Sequence, residues 1–245
     1  MSEVRVLASV SSTNDVAKEA ARHGAREGLV VVAETQTAGR GRHGRQWTSP
    51  AGNLFLSVLL RPRDPAVLSL LPLAAGVAVA EAIEAQGVDG QLKWPNDVLV
   101  GERKIAGLLA EASTDAGRVD SVVLGVGVNV NLRASDVPAE IAGVTASLFE
   151  ETGRTHDVRT VAAAVLDRWV LWYDALQADA ETVRRTWRAR SVDWWGQAVE
   201  VVSGGQRVTG LARDIDESGA LLLEAPDGAI LKVLSGEARA LRPVP

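Results

Sequence analysis

The sequence predicts an α+β fold: a mixed, largely antiparallel sheet covered by helices, followed by a small C-terminal β-barrel. Three observations predict it. Strand-like runs between residues 91 and 131 are joined by links too short for crossover helices, which favours antiparallel pairing. Helical stretches near residues 16–23 and 65–87 supply the apolar faces that cover such a sheet. After Trp194-Trp195-Gly196 the pattern changes to short strands separated by glycine turns, the mark of a small barrel.

Residues 4–10 read as the first strand. Ser12-Thr13-Asn14-Asp15 leads into a helix over 16–23, with Ser12 and Asp15 spaced as a capping box and Gly24 suited to the left-handed position after a helix. A second strand covers 29–34, a polar loop runs to Gly52, and 54–60 is a continuous apolar run of the fully buried type. Asp64-Pro65 opens a long helix with Pro65 at the first helical position and Gly87 just past its end. Its most apolar part, 67–85, contains Pro72, Gly76 and Glu81 and reads as a helix buried in protein rather than a membrane span. Strands at 91–94, 98–100, 104–111 and 119–131 follow, broken at Gly101-Glu102 and 114–118. Helices at 158–178 and 181–189 complete a first unit, residues 1–191. Residues 192–245 form the barrel, with strands at 198–202, 206–215, 220–223 and 230–234.

Composition bounds the function. With 245 residues, 47% of them hydrophobic, the chain can bury a full core. Its 26 Lys plus Arg against 31 Asp plus Glu give a formal charge of -5, which lacks the basic excess of a nucleic-acid binder, so any anion site is local. The absence of cysteine excludes disulfides, thiolate metal sites and a cysteine nucleophile. The start, Met1-Ser2-Glu3-Val4-Arg5-Val6, has no signal-peptide pattern, and a cytoplasmic protein without membrane or nucleic-acid partners is expected.

Chemistry concentrates in three segments. Gly39-Arg40-Gly41-Arg42-His43-Gly44-Arg45 contains G-x-G-x-x-G after a strand, but Arg45-Gln46-Trp47-Thr48-Ser49-Pro50 returns to a strand and opens no helix, which rejects the dinucleotide fingerprint. What remains is a loop whose glycines let backbone N–H groups approach an anion while its arginines fork onto phosphate or carboxylate oxygens; a solvated basic loop is the alternative. In Lys93-Trp94-Pro95-Asn96-Asp97, Pro95 stiffens the segment carrying Asn96 and Asp97, and the hairpin lets Asp97 lie across from Lys104, either as part of a site or as a plain salt bridge. In 125–131, alternation puts Val126, Val128 and Val130 on one face and Gly125, Gly127, Asn129 and Asn131 on the other. The glycine face admits something flat, and the Asn amides could bind a base or ribose, unless this is simply a surface strand with a frayed end.

Taken in order, Ser12-Thr13-Asn14, Gln36 with residues 39–45 and Trp47, 93–97, 103–107 and 125–129 closely resemble the biotin protein ligases. The resemblance covers essentially the whole chain. It implies the class II synthetase-like catalytic fold shared with lipoate ligases, and an SH3-like barrel at the C-terminus. Octanoyltransferases share that catalytic fold but use a cysteine nucleophile, which this chain lacks. By resemblance, Ser12, Thr13, Asn14, Gln36, Gly39, Arg40, Gly41, Arg42, Lys104 and Gly107 would bind biotin. Arg40, Arg42, Arg45, Trp47, Lys93, Asn96, Lys104 and Asn129 would bind ATP or the adenylate, with Trp47 helping to fold the closed loop over the ligand. Lys104, Arg42 and Asp97 would carry the chemistry, Asp97 either positioning Lys104 or helping to hold Mg²⁺, and no residue set is singled out as metal ligands. His43 stands where some family members have arginine.

The activity so implied is formation of biotinyl-5′-AMP from biotin and ATP, then transfer of biotin to a lysine of a carboxyl carrier domain of an acyl-CoA carboxylase. A lipoate ligase and a non-catalytic biotin-binding protein are the alternatives. Some members carry an N-terminal helix-turn-helix domain and repress transcription; eleven residues precede Ser12 here, and the expectation is a ligase without repressor function, monomeric or weakly dimeric.

Overall fold

The structure, a computed structural model, describes residues 3–241. The outer ends of the two expected units, residues 1–2 and 242–245, lie outside the described residues. Seven strands form the larger sheet: β1 (Glu3–Val10), β2 (Leu29–Gln36), β3 (Leu54–Leu60), β4 (Gln91–Lys93), β5 (Asp97–Val100), β6 (Arg103–Asp115) and β7 (Arg118–Val128). Their spatial order is β1-β2-β3-β7-β6-β5-β4. Only β1 and β2 are parallel, joined through α1 (Thr13–Arg22); every other pair is antiparallel, as the short links require.

Side-chain alternation divides the sheet into two faces. From β3, Leu54, Leu56, Val58 and Leu60 enter the main core with Val122, Leu124, Val126 and Val128 of β7. That core is covered by α2 (Leu71–Glu84), whose residues are buried almost throughout. On the opposite face α1 lays Ala17 and Ala21 against Leu29, Val31, Leu59 and Val123. Ser57, Gly125 and Gly127 belong to this second face by parity, and the functional cavity opens there.

Two helix expectations are revised. Ser12 occupies the N-cap position of α1, but the capping box is not formed: the Asp15 carboxylate is engaged by Arg40 and the Asp15 N–H donates to Ser12 O at 3.1 Å, while Gln36 accepts the free Thr13 N–H at 2.9 Å. The helix expected from Pro65 begins as a 3-10 segment, Pro65–Leu70, capped by Asp64; the α-helix starts with Pro72 in its first turn, where a missing N–H leaves no bond unmade. Pro65–Glu84 is apolar and long enough to cross a membrane, and 72% of its most apolar window is buried inside the protein.

Beyond β7 come a 3-10 turn at Ala134–Asp136 and two short helices, α3 (Ala139–Ala142) and α4 (Leu148–Thr152), none of which the pattern suggested. The helices α5 (Val158–Ala178) and α6 (Ala180–Ala189) pack beside α2. Residues 190–192 then run along the outer edge of β4, with Leu92 N–H donating to Arg190 O and Val192 N–H to Leu92 O, both at 2.9 Å.

The second sheet is antiparallel, ordered β11-β10-β9-β8-β12, from β8 (Ala198–Ser203), β9 (Gln206–Ile215), β10 (Leu221–Glu224), β11 (Ile230–Val233) and β12 (Glu237–Ala240). The last of these was not expected. It pairs with β8 and returns the chain to the mouth of the cavity. The larger sheet is tied to this one by Trp94, buried to 1% exposure, whose indole N–H donates to Gly219 O at 2.9 Å.

Candidate active site

A cavity of about 660 Å³ lies on the α1 face of the larger sheet and is closed on one side by the barrel. Its floor is glycine. A Cβ at Gly127 would come within 2.8 Å of Trp47 Cε2, and one at Gly107 within 3.1 Å of both Trp47 Cζ3 and Lys104 Nζ. The flat group admitted by the glycine face is therefore the Trp47 indole itself. Its N–H is buried against Gly127 with no hydrogen-bond partner.

Every site residue expected from the sequence lines this cavity except Gly39. Gly39 instead permits close approach of the two arms of the loop, since a Cβ there would lie 2.6 Å from Ser49 Oγ and Trp47 O. The arms are further joined by Gly41 N–H to Arg45 O at 2.7 Å and Trp47 N–H to Gly39 O at 2.9 Å, so the loop is a closed hairpin over the cavity. His43, at its exposed tip, has a φ of 55°, a left-handed conformation uncommon outside glycine.

The three loop arginines take different roles. Arg40 grips Asp15 with two nitrogens at 2.7 and 2.6 Å and approaches Glu111 at 3.5 Å. The Asp15 bond and charge hold its guanidinium well above the usual value, and Arg40 in turn holds Asp15 below the usual carboxylate range. Arg42 crosses the cavity mouth, donating to Gly236 O at 3.1 Å and Asn96 Oδ1 at 3.3 Å. Burial pushes its guanidinium down, opposed by the charges of Asp97 and Glu237. Arg45 is exposed and ion-paired with Glu237 on β12.

Lys104 is the inner cation. Its ammonium sits 2.6 Å from Asp97 Oδ1 and 5.1 Å from the centre of the Trp47 ring. The two strands do not place Lys104 opposite Asp97 as expected: a bulge between Val98 and Leu99 shifts the register, so Asp97 faces Gly107 and Lys104 faces Leu99. The Lys104 side chain reaches Asp97 diagonally through the space a Cβ at Gly107 would fill. Asn96 is fixed by its amide donating to Leu108 O at 2.7 Å.

Asn129, expected near a base, lines the cavity, and its amide nitrogen donates to Ala146 O at 2.9 Å and Lys104 O at 3.3 Å, holding the following segment onto β6. Asn131 has left the cavity face: its side chain accepts from His156 N–H and donates to His156 O, both at 2.9 Å, because the strand ends at Val128 and the alternation lapses. The segment that Asn129 holds presents Leu132, Val137, Ile141 and Val144 as an apolar wall.

Residues 6–129 match the biotin/lipoate A/B protein ligase family, and residues 195–238 match the biotin protein ligase C-terminal domain. The chain belongs to this family. It is 37% identical to the biotin--[acetyl-CoA-carboxylase] ligase of Mycobacterium tuberculosis, over 98% of this chain and 90% of the relative. It is 36% identical to the bifunctional ligase/repressor of Bacillus subtilis, over 93% of this chain and 71% of the relative. Among solved structures, the biotin protein ligase of Aquifex aeolicus in complex with biotin and ATP superposes with a TM-score of 0.85 at 33% identity, covering 99% of this chain and all of that one.

Three features of this family member escaped sequence reasoning. The apolar wall after Asn129 lies in loops and the one-turn helix α3, too short for a period to show. Gly236 and Glu237 meet the loop only because β12 pairs with β8, a contact across almost two hundred residues of sequence. Ser57 was legible in principle, as the one hydroxyl in an apolar run.

Proposed function

We propose that the chain is an ATP-dependent biotin protein ligase. It activates biotin to biotinyl-5′-AMP with release of pyrophosphate and transfers the biotinyl group to a lysine of a carboxyl carrier domain. The observation that carries the reading is one cavity joining a neutral polar end, Ser12, Thr13, Asn14 and Gln36, to a cationic middle, Lys104 and Arg42, and an apolar wall beyond. Those three surfaces match a cyclic urea, a carboxylate facing an α-phosphate, and a purine. In this reading residues 1–191 are the catalytic unit and 192–245 the barrel that completes its mouth.

In the first step a carboxylate oxygen attacks the α-phosphorus and pyrophosphate leaves. Both reactants are anionic, and Lys104 offsets their repulsion with its ammonium held by Asp97 rather than mobile. Because the Arg40 guanidinium is already bound by Asp15 and Arg45 is ion-paired with Glu237, these two anchor the loop, and the phosphate contacts fall to Arg42 and Lys93, with Asn96 orienting Arg42. Gly41 and Trp47 close the ligand under the loop and exclude water, which would otherwise hydrolyse the mixed anhydride. In the second step the lysine amine attacks the acyl carbon, loses a proton and displaces AMP.

Among the described residues no group of three or more His, Asp or Glu could hold a metal ion. In this reading Mg²⁺ would arrive on the triphosphate, since this ion keeps much of its water and takes few protein ligands. Asp97 is the acid nearest Lys104 for it, and bound Mg²⁺ would neutralise phosphate charge.

The test is incubation with biotin, MgATP and a carrier domain, followed by mass measurement of the carrier. A mass gain of one biotinyl group is expected; a folded chain that leaves the carrier unmodified refutes the proposal. Offering lipoate in place of biotin distinguishes the sister activity, and biotin binding without transfer would identify a non-catalytic binder.

A further inference from the structure

Glu111 lies behind the cavity without lining it. Its Oε1 takes the Lys18 ammonium at 2.7 Å, and its Oε2 takes the Asn14 amide nitrogen at 2.6 Å. Burial pushes this carboxyl up, but the bonds from Lys18 and Asn14 and the charges of Lys18 and Arg40 outweigh it and hold it below its ordinary value. It is therefore ionised at neutral pH and offers acceptors only.

A fixed acceptor at one end sets the direction of everything bonded to it. Asn14 must turn its amide nitrogen to Glu111 and its oxygen away. That oxygen lies 2.6 Å from the hydroxyl of Ser57, which is fully buried and has a single proton to give. Ser57 donates it to Asn14. Thr13 Oγ1, 2.7 Å from Ser57, then donates its own proton to Ser57. Gln36 Oε1 is satisfied by the Thr13 backbone N–H at 2.9 Å, which outranks the 3.2 Å approach of the Thr13 hydroxyl. Gly125 belongs to the same arrangement, since a Cβ there would collide with Asn14 Oδ1.

We propose that Glu111 and Ser57 are positioning residues for the cyclic urea of biotin. Glu111 orients Asn14, Ser57 relays that orientation, and Thr13 Oγ1 is thereby held with its lone pairs toward the cavity, as an acceptor for a urea N–H. The inference rests on the assignment of the cavity to biotin.

Ser57→Ala, Glu111→Gln and the double variant, each in the full chain, test it. Biotin affinity is read by calorimetric titration without ATP, the KM for ATP by pyrophosphate exchange at saturating biotin, and folding by the thermal midpoint. Each single variant is expected to raise the biotin Kd roughly tenfold with the KM for ATP within about twofold of wild type. The double variant should be no worse than the weaker single one, because both changes interrupt the same chain. Unchanged biotin Kd values, additive losses, or a parallel loss for ATP would overturn the inference. Glu111→Gln alone decides the matter if Ser57→Ala does not fold. A wild-type chain that binds no biotin would instead overturn the proposed function, a distinguishable result.

Discussion

Lys104→Met removes the inner cation while keeping a side chain long enough to cover the Trp47 ring. A unit charge about 4 Å from an anion is worth about 4 kcal/mol at an effective dielectric near 20. The Lys104 side chain is 32% exposed, so solvent screening lowers this to about 2–3 kcal/mol, on the order of a hundredfold in the rate of adenylation. The folding side of the ledger is smaller. The Asp97–Lys104 pair is partly exposed on both partners and contributes about 0–1 kcal/mol, which moves the melting temperature by at most about 4 °C. Biotin-dependent pyrophosphate exchange and calorimetry read the two effects separately. Exchange within about threefold of wild type, or a drop in stability large enough to account for the lost activity, would refute the assignment of Lys104 to the reacting oxygens.

Three further outcomes follow from the same geometry. Arg42→Ala cuts the bonds to Gly236 O and Asn96, and is expected to let the adenylate escape: AMP formation without carrier should rise, and unchanged leakage would contradict the closing role. Gly127→Ala places a methyl against the Trp47 indole and should open the loop, seen as faster tryptic cleavage after Arg42 and Arg45 with little change in melting temperature; unaltered cleavage would contradict it. Asp15 and Glu111 have carboxyls held below their ordinary values, so the stability they add is complete above the ordinary carboxylate range and lost as pH falls through the depressed values. Stability measured by denaturant unfolding should thus be level from neutral pH to about pH 5 and decline below it, and Asp15→Asn should lessen the decline.

How far the sequence led depends on the range of each interaction. Period-two alternation is local, and it placed Val126 and Val128 in the core and Gly125 and Gly127 on the cavity face, as observed. It failed at Asn131, where the strand had already ended and a bond to His156 took over. The Gly/Arg loop showed its chemistry in composition, but not which arginine does what. That division is made by partners far along the chain: Asp15 on α1 claims Arg40, Gly236 beside β12 claims Arg42, and Glu237 claims Arg45. One partner lies on α1, and the other two are neighbours in sequence at the start of β12 in the barrel. A loop so held meets the barrel through Arg42 and Arg45, and Trp94 ties the barrel to the larger sheet through Gly219 from within the segment that also presents Asn96 and Asp97. Removing that single bond by Trp94→Phe leaves a buried carbonyl unpaired at a cost of about 1–3 kcal/mol. If the barrel acts through the loop, this variant should leak AMP as Arg42→Ala does; a variant that melts lower yet retains its adenylate would show the barrel to be structural only.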